Sequence, residues 1–232
     1  IVDDHYLVLN KRVSHHLLKS SLSYKNFHAD LLPHVRMKWS ADQAAIIYSL
    51  WLFDQNNNTD LSHGLKDKWL RYMNENCVHK KTGLFQTEVL GIKKYSKEPR
   101  GCSLSYLIHY MARFSHKTAA LQWELYKRYM MIKVFGKTGF REYLKDYKGR
   151  WTPDSGPIIN GVGIAATGLG LNAASTMNDH ESYTKLESGM NMVYWFLKKS
   201  ESIPGVNKIT KIGTDLLASS IWLNAETKVK WF

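Results

Sequence analysis

The chain has 232 residues, with 44% hydrophobic and 22% charged residues and a formal net charge of +12. That balance excludes a disordered chain, which would pair low hydrophobicity with high charge, and two cysteines exclude both a disulfide scaffold and a four-cysteine zinc site. The charge is uneven: residues 61–150 hold nineteen bases against seven acids, while each flank is balanced.

In chain order, residues 3–24 read as an N-terminal helix. Ala44, Ile47, Tyr48 and Trp51 then recur at helical spacing over 41–54, behind Ser40 with Gln43 three residues on, a capping-box pattern. After an Asn-rich turn, 61–76 places Leu61, Leu65, Trp69, Tyr72 and Met73 on one face. Two helices with a short polar joint predict an antiparallel hairpin. The pattern repeats as 103–115 with 118–134, broken at Ser115-His116-Lys117, and as 157–177 with 180–199, broken at Asn178-Asp179. Residues 209–224 form a further run. Turn chemistry separates the pairs at Lys81-Thr82-Gly83, Pro99-Arg100-Gly101, Gly136-Lys137-Thr138-Gly139, Gly149 to Gly156 and Ile203-Pro204-Gly205. No long stretch alternates in the manner of a strand, so strands are expected to be minor.

Serial hairpins of similar length without a shared consensus predict an all-α fold, a helical-hairpin α/α barrel (toroid) or part of one, rather than a solenoid. Residues 1–232 read as a single helical domain. The chain starts at Ile1 with no basic-then-apolar leader, which suggests trimming at the N-terminus. In such a barrel the linkers gather at one end of the axis, and here they are rich in Trp, Asp, Arg and Gly.

Residues 156–175 carry no charge, but four internal glycines with Asn160, Thr167, Asn172 and Ser175 favour a closely packed buried helix over a membrane span. Gly161-Val162-Gly163-Ile164-Ala165-Ala166 matches a dinucleotide fingerprint in letters but lacks its βαβ setting. Asp154, in Trp151-Thr152-Pro153-Asp154-Ser155-Gly156-Pro157, precedes that helix and suits an N-cap, a catalytic acid or base at a pocket rim, or both. Asp42 lies in the first turn of its own helix, and two carboxylates opening inner helices of a barrel would face one cavity, with pKa values pushed apart for acid and base work. Cys102, at a helix start next to Arg100, would feel a field that favours thiolate or else be a small buried cysteine, the commoner outcome, and Arg100 suits an anion clamp or a structural partner for an acid. His109 shares a face with Cys102 two turns on. The histidines at 15, 16, 34, 63, 79, 109, 116 and 180 show no H-x-x-x-H spacing, so no metal is expected. The basic middle, with its tyrosines and tryptophans, shows no nucleic-acid module and suits an acidic glycan or an anionic membrane surface as well as a nucleic acid.

Three segments, Trp39-Ser40-Ala41-Asp42-Gln43-Ala44, Pro99-Arg100-Gly101-Cys102-Ser103-Leu104-Ser105-Tyr106 and Asp154-Ser155-Gly156-Pro157 through Gly168, together resemble the bacterial family grouped with the linalool dehydratase/isomerase domain. The resemblance covers about residues 35–175. It implies an α/α barrel related to terpenoid cyclases and six-hairpin glycosidases, and a cofactor-free acid–base catalyst that removes water from, or isomerises, a terpene alcohol. It implies the cysteine role for Cys102 and an acid role for Asp42 or Asp154, in a bacterial cytoplasm or envelope. The expected function is therefore a lyase or isomerase with catalytic Asp42, Asp154 and Cys102, with Arg100, Trp39, Tyr106 and Trp151 on the substrate, and with no cofactor. The alternatives are a glycan-processing hydrolase, or a non-catalytic module that binds an anionic glycan, polymer or partner protein.

Overall fold

The computed structural model describes residues 4–31, 37–90, 98–150, 152, 154–200 and 223–225. Their helices are α1 (Asp4–Leu22), α2 (Ser40–Asn57), α3 (Leu61–Asn76), α4 (Gly101–Phe114), α5 (His116–Met130), α6 (Ile164–Thr176) and α7 (His180–Ser200). Short antiparallel pairs join β1 (Lys38–Trp39) to β2 (Glu88–Val89), β3 (Met131–Val134) to β4 (Lys137–Phe140), and β5 (Ile158–Ile159) to β6 (Val162–Gly163). The predicted order of hairpins, α2 with α3, α4 with α5 and α6 with α7, is the observed one. The predicted run over 209–224 and the turn at Ile203-Pro204-Gly205 lie outside the described residues except for 223–225.

The chain forms two units, one of Ile1–Pro99 with Tyr110–Gln122 and one of Arg100–His109 with Trp123–Phe232. In the first, α1, α2 and α3 pack on Ile47, Leu50, Leu65, Trp69 and Met73, all buried. The α2–α3 turn is held by Asp54, whose carboxylate accepts from Thr59 Oγ1 at 2.7 Å, Leu61 N at 2.7 Å and Ser62 N at 2.8 Å. Burial raises the Asp54 pKa, but these donors outweigh it and hold the carboxyl below its ordinary value. Asn58 ends α2 in the left-handed region at φ 52°, where Asn is tolerated.

In the second unit, α6 and α7 pack against β4. Asp179 opens α7, accepting from Ser182 N at 3.0 Å, and ties it to α5 through Trp123 Nε1 at 2.9 Å and Lys127 Nζ at 2.7 Å. The first part of α4 runs beside α6: Ser105 Oγ donates to the Ala166 carbonyl at 2.9 Å, and His109 Nδ1 meets Thr176 Oγ1 at 2.8 Å.

Four local expectations need correction. Ser40 and Gln43 form no capping box; Trp39 is the N-cap of α2, Ser40 Oγ donates to the Gln86 carbonyl at 3.0 Å, and Gln43 Oε1 accepts from Ala29 N at 2.8 Å. Long-range partners outbid the local ones. The second hairpin breaks at Ser115 alone, and its second helix stops at Met130, because Met131-Ile132-Lys133-Val134 pairs with 137–140 around a Phe135-Gly136 turn. The third hairpin begins at Ile164, because Ile158 to Gly163 forms a tight β-turn pair around Asn160 (φ 47°) and Gly161 (φ 86°), a two-residue turn of the Asn-Gly kind. Asp154 is therefore ten residues ahead of α6 and does not cap it; Gly163 is the N-cap. Gly161 and Gly163 belong to that β-turn pair, not to a dinucleotide loop. Among the described residues, no helix is long and apolar enough to cross a membrane.

Candidate functional site

The densest chemistry in the second unit gathers at the start of α4. Arg100 is 8% exposed and precedes the helix; Glu142, fully buried, follows β4. The two segments are joined through backbone, since Gly101 N donates to the Glu142 carbonyl at 2.8 Å. Position 101 admits only glycine, because a Cβ there would lie 2.0 Å from the Arg141 carbonyl oxygen.

The Glu142 carboxylate then closes over the helix end. Oε2 accepts from Cys102 N at 3.1 Å, and Oε1 accepts from Arg100 Nε at 2.9 Å and from Cys102 Sγ at 3.2 Å. A side chain forty residues downstream thus satisfies a free N–H of the first turn and complements the helix dipole. Arg100 spends its other nitrogens outward, Nη1 to Asp154 Oδ2 at 3.1 Å and Nη2 to Thr152 Oγ1 at 2.6 Å, with the Tyr143 ring 5.9 Å away. The loop carrying Asp154 is fixed by buried Ser155, whose hydroxyl accepts from Thr152 N at 2.9 Å. Beneath the cluster, Tyr126 donates to the Gly101 carbonyl at 3.0 Å and stacks on Phe140 at 4.0 Å.

One guanidinium faces two carboxylates, and their surroundings differ. Burial pushes the Glu142 carboxyl above its ordinary pKa, against Cys102 and Arg100, which pull it down. Asp154 goes the other way: burial raises it, but Thr152 and Arg100 outweigh burial and hold it below the ordinary value. Its side chain is 61% exposed, so an oriented carboxylate reaches solvent from a buried base. For Arg100, burial works against the charge, yet the Glu142 and Asp154 carboxylates stabilise it more, and its pKa rises. The Cys102 thiol is pushed well up by burial first and Glu142 second, with Arg100 opposing weakly. The expected thiolate is thus corrected: Cys102 is a protonated thiol that donates to a carboxylate.

The structure brings Arg100, Cys102 and Asp154 together in this unit and adds Glu142 and Thr152, which the sequence reading missed. Tyr106 lies one turn along α4, half-buried. Trp151 falls outside the described residues. Glu142 had no spacing signal, since its partners lie 40 and 42 residues away.

The other two predicted residues lie in the first unit. Trp39 pairs with Glu88 in the β1–β2 ladder, half-buried. Asp42 stands in the first turn of α2, where burial alone raises its pKa and no described residue gives it a hydrogen bond or ion pair. Such a carboxyl costs stability once ionised: its contribution falls as pH rises from the unfolded pKa through the raised folded one. Asp42→Asn is therefore expected to raise the melting temperature at pH 7 by about 2 °C, with no gain at pH 3. A thermal melt at both pH values checks this, and a drop at pH 7 would reveal a partner. No three His, Cys, Asp or Glu side chains among the described residues could hold a metal ion.

No protein-family model and no curated protein sequence matches the chain. Two solved structures are similar in fold. The endoglucanase Cel10 of Klebsiella pneumoniae, a family 8 glycosyl hydrolase, superposes with a TM-score of 0.53 at 10% identity, over 77% of this chain and 57% of its own. A sugar epimerase from a ruminal bacterium gives 0.50 at 11% identity, over 84% and 55%. The chain spans little more than half the length of either. These likenesses establish the fold class, all-α and of helical-hairpin α/α-barrel type.

Proposed function

We propose that the chain is a cofactor-independent acid–base enzyme acting on a sugar or glycan, by hydrolysis or epimerisation. The observation that carries this reading is Asp154: an exposed carboxylate, held anionic and aimed by Arg100, which buried Glu142 locks in turn. Preorganisation of this kind lets a carboxylate meet developing positive charge or take a proton without first ordering itself. The endoglucanase and the sugar epimerase of similar fold both act on carbohydrates. Asp154 is the group that meets substrate, Arg100 and Glu142 position it, and Tyr106 is a binding candidate.

A second reading, dehydration or isomerisation of a terpene alcohol, draws on the Cys102 thiol that donates to Glu142, because a thiol backed by a carboxylate is a proton-transfer pair. The test is one panel: reducing-end release from glycans, epimerisation of free sugars followed by NMR, and water loss from a terpene alcohol. Asp154→Asn is expected to lower the sugar reaction at least about a hundredfold in kcat while the fold persists. Cys102→Ser leaves that reaction within a few-fold but abolishes terpene chemistry if the second reading holds. Sugar turnover that survives Asp154→Asn unchanged overturns the first reading.

A further inference from the structure

The β3–β4 hairpin ends in an unusual pair. Phe135 and Gly136 both have positive φ, 49° and 76°, between the paired residues Val134 and Lys137. A two-residue turn with both central residues in the left-handed region selects Asn, Asp or Gly at its first position. A bulky aromatic residue there is a backbone outlier of the sort that persists where function needs it. Phe135 is also 81% exposed, the most exposed of the large hydrophobic side chains described, and a Cβ added to Gly136 would meet nothing within 4 Å. A lone exposed apolar side chain is ordinary; one that also occupies the least suitable backbone position has two costs and no folded-state gain.

Basic side chains flank it. Lys133 is exposed two residues before Phe135, and Lys137 stands two residues after, its ammonium on Ser188 Oγ at 2.7 Å. Lys145, Lys148 and Arg150 follow in the same unit, exposed, with exposed Asp146 among them. At the rise of an antiparallel strand, Lys133 lies about 7 Å behind the tip, while Lys137, paired with Val134 beside the turn, lies about half as far. The Lys133 separation matches the depth of about 5–10 Å to which interfacial apolar groups enter a bilayer, and it leaves that lysine level with lipid phosphates. A single protruding ring without a hydroxyl or N–H suits insertion better than the flat stacking that a sugar needs.

We infer that the β3–β4 tip is a membrane-contact element that inserts Phe135 into an anionic lipid surface, with Lys133 and Lys137 on the headgroups. The contact orients the enzyme on a bilayer and anchors it weakly, since one ring and two lysines fall short of the two strong signals that stable anchoring takes.

Co-sedimentation of the full chain with vesicles of phosphatidylserine in phosphatidylcholine, against pure phosphatidylcholine, tests it. The wild type pellets with the anionic vesicles and is released by salt. Phe135→Asn, which suits the left-handed turn and should melt no lower than wild type, is expected to weaken vesicle binding about tenfold. Lys133→Glu weakens it too. Equal binding by wild type and Phe135→Asn, no preference for anionic vesicles, or a Phe135→Asn loss confined to heparin each overturns the inference.

Discussion

Glu142→Ala is expected to destabilise the protein by about 3–5 kcal/mol, which is a large part of the stability of an ordinary domain. The reason is the company Glu142 keeps. Its carboxylate receives Arg100 Nε, Cys102 N and Cys102 Sγ in a site with no solvent exposure. Without it, Arg100 loses its buried carboxylate partner, and Cys102 N at the helix start loses its acceptor. Yet the raised pKa of Glu142 says that burial makes its charge cost more here than in water, while the raised pKa of Arg100 says that its charge gains from the carboxylates, so the two partly offset within the pair. The two statements are compatible: a buried pair can be near neutral against an apolar filler while loss of one partner is severe. A double-mutant cycle separates them. Glu142→Leu with Arg100→Met together should recover most of what either single change loses, read as urea midpoints at constant m. Asp154→Asn should cost under about 1 kcal/mol, because its side chain is largely solvated. If Glu142→Ala unfolds at the wild-type midpoint, the cluster is not the keystone of the second unit.

The asymmetry between the two carboxylates on Arg100 explains what was legible in the sequence and what was not. Helices announce themselves by local period: Leu65, Trp69, Tyr72 and Met73 fall on one face of α3 and all four are buried. Arg100 and Cys102 stand out because they sit at the start of a helix, and Asp154 because it lies in a turn-rich linker, places where side chains with chemistry are seldom needed for packing. Glu142 did not stand out, because its role comes from long-range partners, and in a basic stretch it reads as one more solvated acid. The short β-pairs were missed for a related reason. Four-residue strands after a helix, as at Met131 to Val134, continue the apolar count of the helix, and only the left-handed turn at Phe135-Gly136 marks the change. Asn160-Gly161 was a readable signal for the other turn, overlooked because the uncharged run around it suggested one long helix. Adjacency and Pro157 suggest a cap at Asp154, but the β5–β6 pair from Ile158 to Gly163 lies between it and the helix.

In the first unit, lowering the pH from 6.5 to 4 is expected to remove about 3 kcal/mol of stability through His28 alone, an effect as large as the loss of a core side chain. His28 is 1% exposed, with Trp69 and Tyr72 rings edge-on to it. Its Nδ1 lies 2.6 Å from the Asn26 carbonyl, so Nδ1 carries the proton and Nε2 accepts from Trp69 Nε1 at 3.4 Å. A second proton would set two N–H groups against each other at Nε2. Burial lowers the pKa to about 4, the Asn26 carbonyl opposing and the Lys38 ammonium adding to the fall. That ammonium donates to the His28 carbonyl at 3.0 Å. The sign follows from proton counting: between pH 6.5 and 4 the unfolded chain binds a proton that the folded chain refuses, so stability is complete above 6.5 and declines toward 4. Asp54, Asp154 and Asp179, held below their ordinary pKa by their donors, lose their contributions mostly below about pH 4.5, whereas Asp42 and Glu142, with raised pKa, work in the opposite direction as the pH falls, so the histidine effect is read as the difference between wild type and a His28 variant. Urea midpoints at pH 7.5, 6, 5 and 4.5 should fall steadily in the wild type. His28→Gln, less stable at pH 7.5 because it repacks against Trp69, should show a nearly flat profile over the same range. A flat wild-type profile would mean that His28 takes its proton in the folded state, and that water reaches the contact between Trp69 and the loop carrying His28.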